Sequence, residues 1–320
     1  MSSIRYLFEP RSVAIIGASK DPKKIGYKLL SNLIASGYRG AIYPINPSGG
    51  EILGVPAYPS IEAVPEPVDV VCTTIPAKAV FDSVKACADC GVRYNLIISS
   101  GFSEVGNTDE EQRIADYARR KGMRIVGPNI FGVYSAEASM DATFGPGNIL
   151  PGSVAIVTQS GALGLAMIGK TNVENIGLSA IVSVGNKCDV DEADLLEYLT
   201  QQQRTRVILM YIEGIKNGPR FIEAVKKATR AKPVVVIKSG RSERGAVAAA
   251  SHTGSLAGSD EIVDADFEAL HAHGFDDEDI WDIAAITAFF GLSNRMANFS
   301  GMQPNPEFYL MGRMPREKKA

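Results

Sequence analysis

A chain of 320 residues with a hydrophobic share of 45% is long enough for two domains of about 150 residues, each with its own core. A formal charge of -3 and the lack of a dense Lys/Arg patch before the terminal "RMPREKKA" argue against nucleic acid or an anionic membrane as partner. No segment reaches the ~18 apolar residues of a transmembrane helix, and the start "MSSIRYLFEPRSVAIIGAS" has no signal-peptide pattern, so the expected location is the cytoplasm.

In chain order, short apolar β-branched runs alternate with helical patterns. The first strand candidates are "SVAIIGAS" (12–19), "GAIYPINP" (40–47), "DVVCTTIP" (69–76), "NLIISSG" (95–101) and "RIVGPN" (124–129). Between them lie "IGYKLLSNLIASG" and "AKAVFDSVKACADCG", each closed by the glycine expected after a helix. Apolar strands separated by helices predict a parallel sheet covered on both faces, hence a Rossmann-like domain over 1–145. After the Gly- and Pro-rich "ATFGPGNILPG" the alternation resumes with "SVAIVTQSG" (153–161), "LSAIVSVGN" (178–186), "RVILMYIEG" (206–214) and "KPVVVIKSG" (232–240). This predicts a second α/β domain over 150–268 and leaves 269–320 as a helical tail. Ligands of such sheets sit at the carboxyl ends of the strands.

The residues at those ends narrow the chemistry. The turn "GASKDPKKIG" is not GxGxxG, and "INP" stands where an NAD site would carry an acidic residue, so a dinucleotide oxidoreductase loses support. Gly17, Ala18 and Ser19 could bring backbone amides to a phosphate, with Lys20, Lys23 and Lys24 adding charge; an ordinary strand-to-helix turn with solvated lysines is the other reading. In "TQSGALG", Ser160 and Gly161 fall at a helix start that favours a small anion. "YIEGI" puts Glu213 at the end of an otherwise apolar strand, where a carboxylate needs a partner. His252 lies in "AAASHTGSLAGSDE", a surround of small residues that leaves either a structural histidine or an imidazole free to attack phosphorus and be steadied by a carboxylate. The four cysteines include a CxxC, Cys87 and Cys90, without a second ligand pair or a thioredoxin-like setting, so structural thiols are expected and no metal site.

The stretches "SVAIIGAS", "IYPINP", "IISSGFSEVG", "GPNIFGVYS", "TQSGALG", "SVGNKCDVDEADLLEYL", "YIEGI", "KPVVVIKSGRS" and "SHTGSLAGSDEI" occur in an order and spacing that resemble the α-type part of the ADP-forming acyl-CoA synthetases and succinyl-CoA synthetases over residues 8–264. The resemblance implies a Rossmann-like CoA-binding domain followed by a flavodoxin-like, succinyl-CoA synthetase-like domain. It places coenzyme A at Gly17, Ala18, Ser19, Gly26, Asn46, Pro47, Ser99, Ser100, Gly101 and Asn129. His252 matches the phosphorylated histidine, Glu213 the carboxylate that steadies it, and Ser160 with Gly161 the helix start that holds phosphate. The implied reaction is acyl-CoA, phosphate and ADP to acid, CoA and ATP, reversibly. An ATP-grasp portion is missing from the sequence, so Mg-ADP/ATP is expected through an ATP-grasp partner subunit, in a homo- or hetero-oligomer.

From about Ala269 the sequence departs from that family and resembles the tail of a carboxymuconolactone decarboxylase or alkylhydroperoxidase-like protein. No cysteine follows Cys188, so no peroxidase chemistry is carried over, and His271, His273 and Trp281 read as surface or packing residues. An amphipathic helix is expected over 276–299, with Ile280, Ile283, Ala284, Ile286, Phe289 and Phe290 on one side. The rival to an enzyme is a non-catalytic CoA-binding regulatory or interaction module.

Overall fold

The computed structural model describes residues 4–239; His252 and the expected tail helix lie outside them. The chain opens with α1 (Arg5–Phe8), β1 (Ser12–Ile16), α2 (Ile25–Ala35) and β2 (Ala41–Ile45). A hairpin, β3 (Gly50–Ile52) and β4 (Val55–Ala57), precedes β5 (Val70–Thr73), α3 (Val80–Asp89), β6 (Tyr94–Ile97), α4 (Thr108–Arg120) and β7 (Arg124–Val126). Next come β8 (Gly132–Ser135), β9 (Met140–Thr143), β10 (Pro151–Thr158), α5 (Gly161–Val173) and β11 (Leu178–Ser183). The described part closes with α6 (Glu192–Gln201), β12 (Val207–Ile212), α7 (Gly218–Ala228) and β13 (Val234–Lys238).

The first sheet has the order β2-β1-β5-β6-β7, and every pair is parallel. Its β-branched strands are buried on both faces, and alternate residues enter different cores. Val13, Ile15, Val70 and Cys72 pack with Leu29, Leu30 and Leu33 of α2, whereas Ala14 and Val71 pack with Val84 of α3 and Ile114 of α4. The helices end as the glycine pattern predicts. Gly91 follows α3 at φ +75, where the Val92 amide donates to the Cys87 carbonyl over 3.1 Å, the six-to-one bond of a Schellman cap.

The second sheet has the order β13-β12-β10-β11-β8-β9. Its β10 to β13 pairs are parallel, while β8 runs antiparallel to both β11 and β9. The β8–β9 hairpin therefore belongs by its ladder to the second sheet, although it precedes the Gly- and Pro-rich stretch and falls inside the expected range 1–145. Val133 pairs with Val182, and α2 packs across β9, with Asn32 donating to the carbonyls of Thr143 (2.8 Å) and Gly145 (3.1 Å). Phe8 stacks on Tyr198 of α6 at 4.3 Å, and one apolar core runs from Leu7 and Phe8 to Leu199 and Ile212 across both sheets.

A polar seam completes the joint. The Arg124 guanidinium at the start of β7 bonds Asp189 (2.8 Å) and Asp194 (3.0 Å), and Arg220 reaches Asp194 from α7 (2.5 Å). Burial alone would raise the Asp194 carboxyl, but the Arg220 hydrogen bond and the Arg124 charge outweigh it and hold the group below its ordinary range. On β9 burial wins: Asp141 is pushed up to about 6 despite two hydrogen bonds from Thr143. No helix among the described residues is long and apolar enough to cross a membrane.

Candidate functional site

At the carboxyl end of the first sheet, the expected cofactor residues gather around the point where the strand order reverses, between β1 and β5. Gly17 turns the chain at φ +91. A Cβ on Gly26 would lie 2.1 Å from the Gly17 carbonyl oxygen, so only glycine lets the start of α2 close against that turn. No side chain caps α2, which leaves the Ile25 and Gly26 amides and the positive end of its dipole open to an anion, with Lys20, Lys23 and Lys24 exposed beside it. Asn46 at the end of β2 donates to the Ala18 carbonyl over 2.8 Å and binds the two turns together, with Pro47 exposed next to it.

The next loops close the same edge. The Ser99 hydroxyl donates to the Ile75 carbonyl (2.5 Å), and the amide of Asn129, itself at φ +63, donates to the Ser99 carbonyl (3.0 Å). Ser100 is half-buried between them. The Gly101 amide is committed within the chain: it donates to Glu104 over 2.5 Å, and the Phe102 amide donates to the same carboxylate over 3.2 Å. Asn186 then bridges Glu104 (2.6 Å) and Glu111 (2.9 Å), tying this edge to the loop after β11. Glu104 was not among the expected site residues; its place inside "GFSEVG" is the one sign of it in the sequence.

At the second sheet the order reverses between β10 and β12, and there the expected phosphate residues meet. Ser160 caps α5, its hydroxyl accepting from the Leu163 amide at 3.3 Å, and Gly161 begins the helix. Glu213 follows β12 and is 3% exposed. Gln159 joins the two strand ends: its side-chain oxygen accepts from the amides of Glu213 and Gly214, the latter at 2.9 Å, and its Nε2 donates to the Gly214 carbonyl at 2.7 Å. The structure thus brings Ser160, Gly161 and Glu213 to one edge.

Around Glu213 lies a buried charge network that the sequence reading did not assign. Lys187 and Glu192 have side chains 2% and 3% exposed and pair at 2.8 Å. Lys187 also donates to the Gly214 carbonyl, and Gln159 to Glu192 at 2.5 Å. From β13, Lys238 donates to the Glu213 carbonyl at 2.8 Å; burial pulls its ammonium below the ordinary lysine range, partly offset by Glu213.

Cys72 lies within β5 and Cys87 and Cys90 at the end of α3, whereas Cys188 follows Lys187 in the loop after β11. Burial pushes the Cys72 and Cys87 thiols up to about 12, and raises Cys90 and Cys188 as well. A reactive thiol needs the opposite shift. Among the described residues no group of His, Cys, Asp and Glu side chains could hold a metal ion.

Comparison with known proteins matches residues 11–136 to a CoA binding domain and residues 151–286 to a succinyl-CoA ligase like flavodoxin domain. The chain is 53% identical over 272 residues to the alpha subunit of acetate–CoA ligase [ADP-forming] I of Pyrococcus furiosus, an alignment covering 83% of this chain and 59% of that protein. It is 38% identical over 290 residues to 4-hydroxybutyrate–CoA ligase [ADP-forming] of Nitrosopumilus maritimus, covering 88% of this chain and 41% of that one. In solved structures it resembles the dinucleotide forming acetyl-coenzyme A synthetase 1 of Candidatus Korarchaeum cryptofilum in complex with phosphate and ADP, with a TM-score of 0.79, 46% identity and coverage of 86% of this chain and 59% of that one. The chain spans less than two thirds of the length of each of these relatives. Two α/β sheets in this order, matched in succession by these two domain families and aligned to such ligases over more than four-fifths of its length, make the chain a member of the superfamily of ADP-forming acyl-CoA synthetases and succinyl-CoA synthetases.

Proposed function

We propose that this chain is the CoA-binding and phosphohistidine-carrying part of an ADP-forming acyl-CoA synthetase. The observation that carries the reading is the Gln159 bridge, which fixes Glu213 beside the helix start at Ser160 and Gly161. A carboxylate there can orient an imidazole, and the α5 amides can hold a phosphoryl group.

In this reading the first domain, 1–145, holds CoA at Gly17, Ala18, Ser19, Gly26, Asn46, Pro47, Ser99, Ser100, Gly101 and Asn129. The uncapped start of α2 faces the CoA phosphates. The second domain, 150–268, carries His252. A phosphate oxygen attacks the thioester carbonyl, the C–S bond breaks, and CoA leaves as the thiolate, giving an acyl phosphate. A ring nitrogen of His252 then attacks phosphorus, and the acid leaves as its carboxylate. Glu213 steadies the charged phosphoimidazole while the α5 amides neutralise the phosphoryl oxygens. The β-phosphate oxygen of ADP, held with Mg²⁺ by an ATP-grasp partner subunit, takes the phosphoryl group and frees the imidazole. Every step runs in either direction.

The test is chemical and uses the chain itself. Incubation with labelled acetyl phosphate should give an acid-labile, base-stable phosphoprotein. His252→Ala should abolish the label and leave CoA binding by calorimetry unchanged. A label that persists in His252→Ala, or CoA binding weaker than NAD binding, would overturn the reading.

A further inference from the structure

The Lys187–Glu192 pair has no evident stabilising purpose. A buried ion pair gives little net stability over apolar residues of the same volume. Lys187 is moreover held at φ +55, a backbone region that side-chain-bearing residues occupy at a cost of about 1 kcal/mol or more. What the pair does is visible in its hydrogen bonds, since each backbone polar group of residues 213 and 214 ends on one of three side chains. The Glu213 and Gly214 amides donate to Gln159, the Glu213 carbonyl accepts from Lys238, and the Gly214 carbonyl accepts from both Gln159 and Lys187. Glu192 in turn holds Gln159 and Lys187 through a single oxygen, Oε1. Lys216 donates to the Lys187 carbonyl at 2.8 Å and closes the ring from residue 216 back to the loop after β11.

From this we infer that Lys187 and Glu192 are positioning residues, acting through Gln159 and the Gly214 carbonyl to fix the direction in which the Glu213 carboxylate leaves the end of β12. The inference rests on the reading of Glu213 as the group that orients the phosphorylated histidine. Ordinary strand ends are held by ladder bonds. Here the chain has left β12, and its main chain is clamped instead by buried side chains, which allow little rotation about residue 213. Loss of orientation by about 1 Å at a reacting group costs on the order of 10²-fold in rate.

The decisive variant is Lys187→Met/Glu192→Met, which removes both charges at similar volume and leaves neither ion unpaired. Lys187→Gln/Glu192→Gln serves if the methionine pair does not fold; it keeps the groups hydrogen-bonding but shortens the reach to Gly214. In the folded variant, CoA affinity should stay within about twofold. The rate of labelling by acetyl phosphate should fall on the order of 10²-fold. In a Glu213→Gln background the same pair should cost little further rate, because the two act through one carboxylate. A labelling rate within threefold of the unaltered chain, or losses that multiply in the combined variant, would overturn the inference. Should His252→Ala keep its label, the functional reading itself fails; should His252→Ala lose the label while the pair variants label normally, only this inference fails.

Discussion

The two strand-end regions sit on sheets of related winding and are made of different material. At the first sheet the expected ligand-holding residues are glycines, an alanine, small hydroxyls, a proline and asparagines, and the tightest approach is backbone on backbone, Gly26 on Gly17. At the second, Lys187, Glu192, Gln159 and Glu213 are all buried and bonded to one another or to the intervening main chain. Main chain that faces water loses little when its ligand departs. A buried network of charges loses much when any member is removed, and so it stays in one arrangement. The first suits a cofactor that binds and leaves; the second suits a carboxylate that must point one way.

The largest effect should come from splitting the charge pair. Lys187→Met alone strands Glu192 without its cation and should lower stability by about 3–5 kcal/mol, read as a fall in Tm, whereas the double methionine variant recovers most of it. If the single and double variants melt alike, the clamp is not a coupled unit and the contrast collapses.

The seam between the regions offers a pH test. Asp141 titrates at about 6 in the fold against 3.8 for the free group, so its contribution to stability is full below pH ~4 and lost as pH rises through 6. Asp141→Asn keeps an oxygen acceptor for Thr143 and should stabilise the chain at pH 8 by on the order of 2–3 kcal/mol, with no gain at pH 4. A gain that does not change with pH would show that the burial of Asp141 is not the cause.

On the main-chain side, Gly26→Ala forces a Cβ toward the Gly17 carbonyl and should cost about 1–3 kcal/mol. CoA affinity should drop at least tenfold while acetyl phosphate labelling of His252 continues. Loss of both activities together would erase the separation between the regions. The smallest effect is the control: Lys227→Ala breaks an exposed helix pair with Glu223 and should shift stability by less than about 0.5 kcal/mol, with both readouts unchanged.

The parallel strands of both sheets were legible because β-branched runs bounded by glycine carry a signal in a short window. Structure departs from that reading where the window carries no such signal. The β3–β4 hairpin has strands of three residues and turns on Leu53 and Gly54, both at positive φ. The β8–β9 hairpin "GVYSAEASMDAT" alternates weakly, and its partner β11 lies more than 40 residues further on. Glu213 and Ser160 were legible from a carboxylate ending an apolar strand and a glycine loop opening a helix. Lys187 and Glu192 were not, although "SVGNKCDVDEADLLEYL" contains both, because a lysine and a glutamate in a polar loop look solvated. Glu192 meets a glutamine 33 residues earlier and Lys187 a carbonyl 27 residues later, contacts that only the folded chain supplies.

The β8–β9 hairpin also bears on how this protein can be taken apart. A fragment cut in the Gly- and Pro-rich stretch would carry away two strands whose ladder partner stays behind, exposing an unpaired edge on β11. The workable cut for exchanging the cofactor-binding half with a related protein lies near residue 131, between β7 and β8. A chimera joined there keeps the six-stranded sheet whole, while one joined near residue 147 asks a foreign hairpin to match the register of Val182 against residue 133.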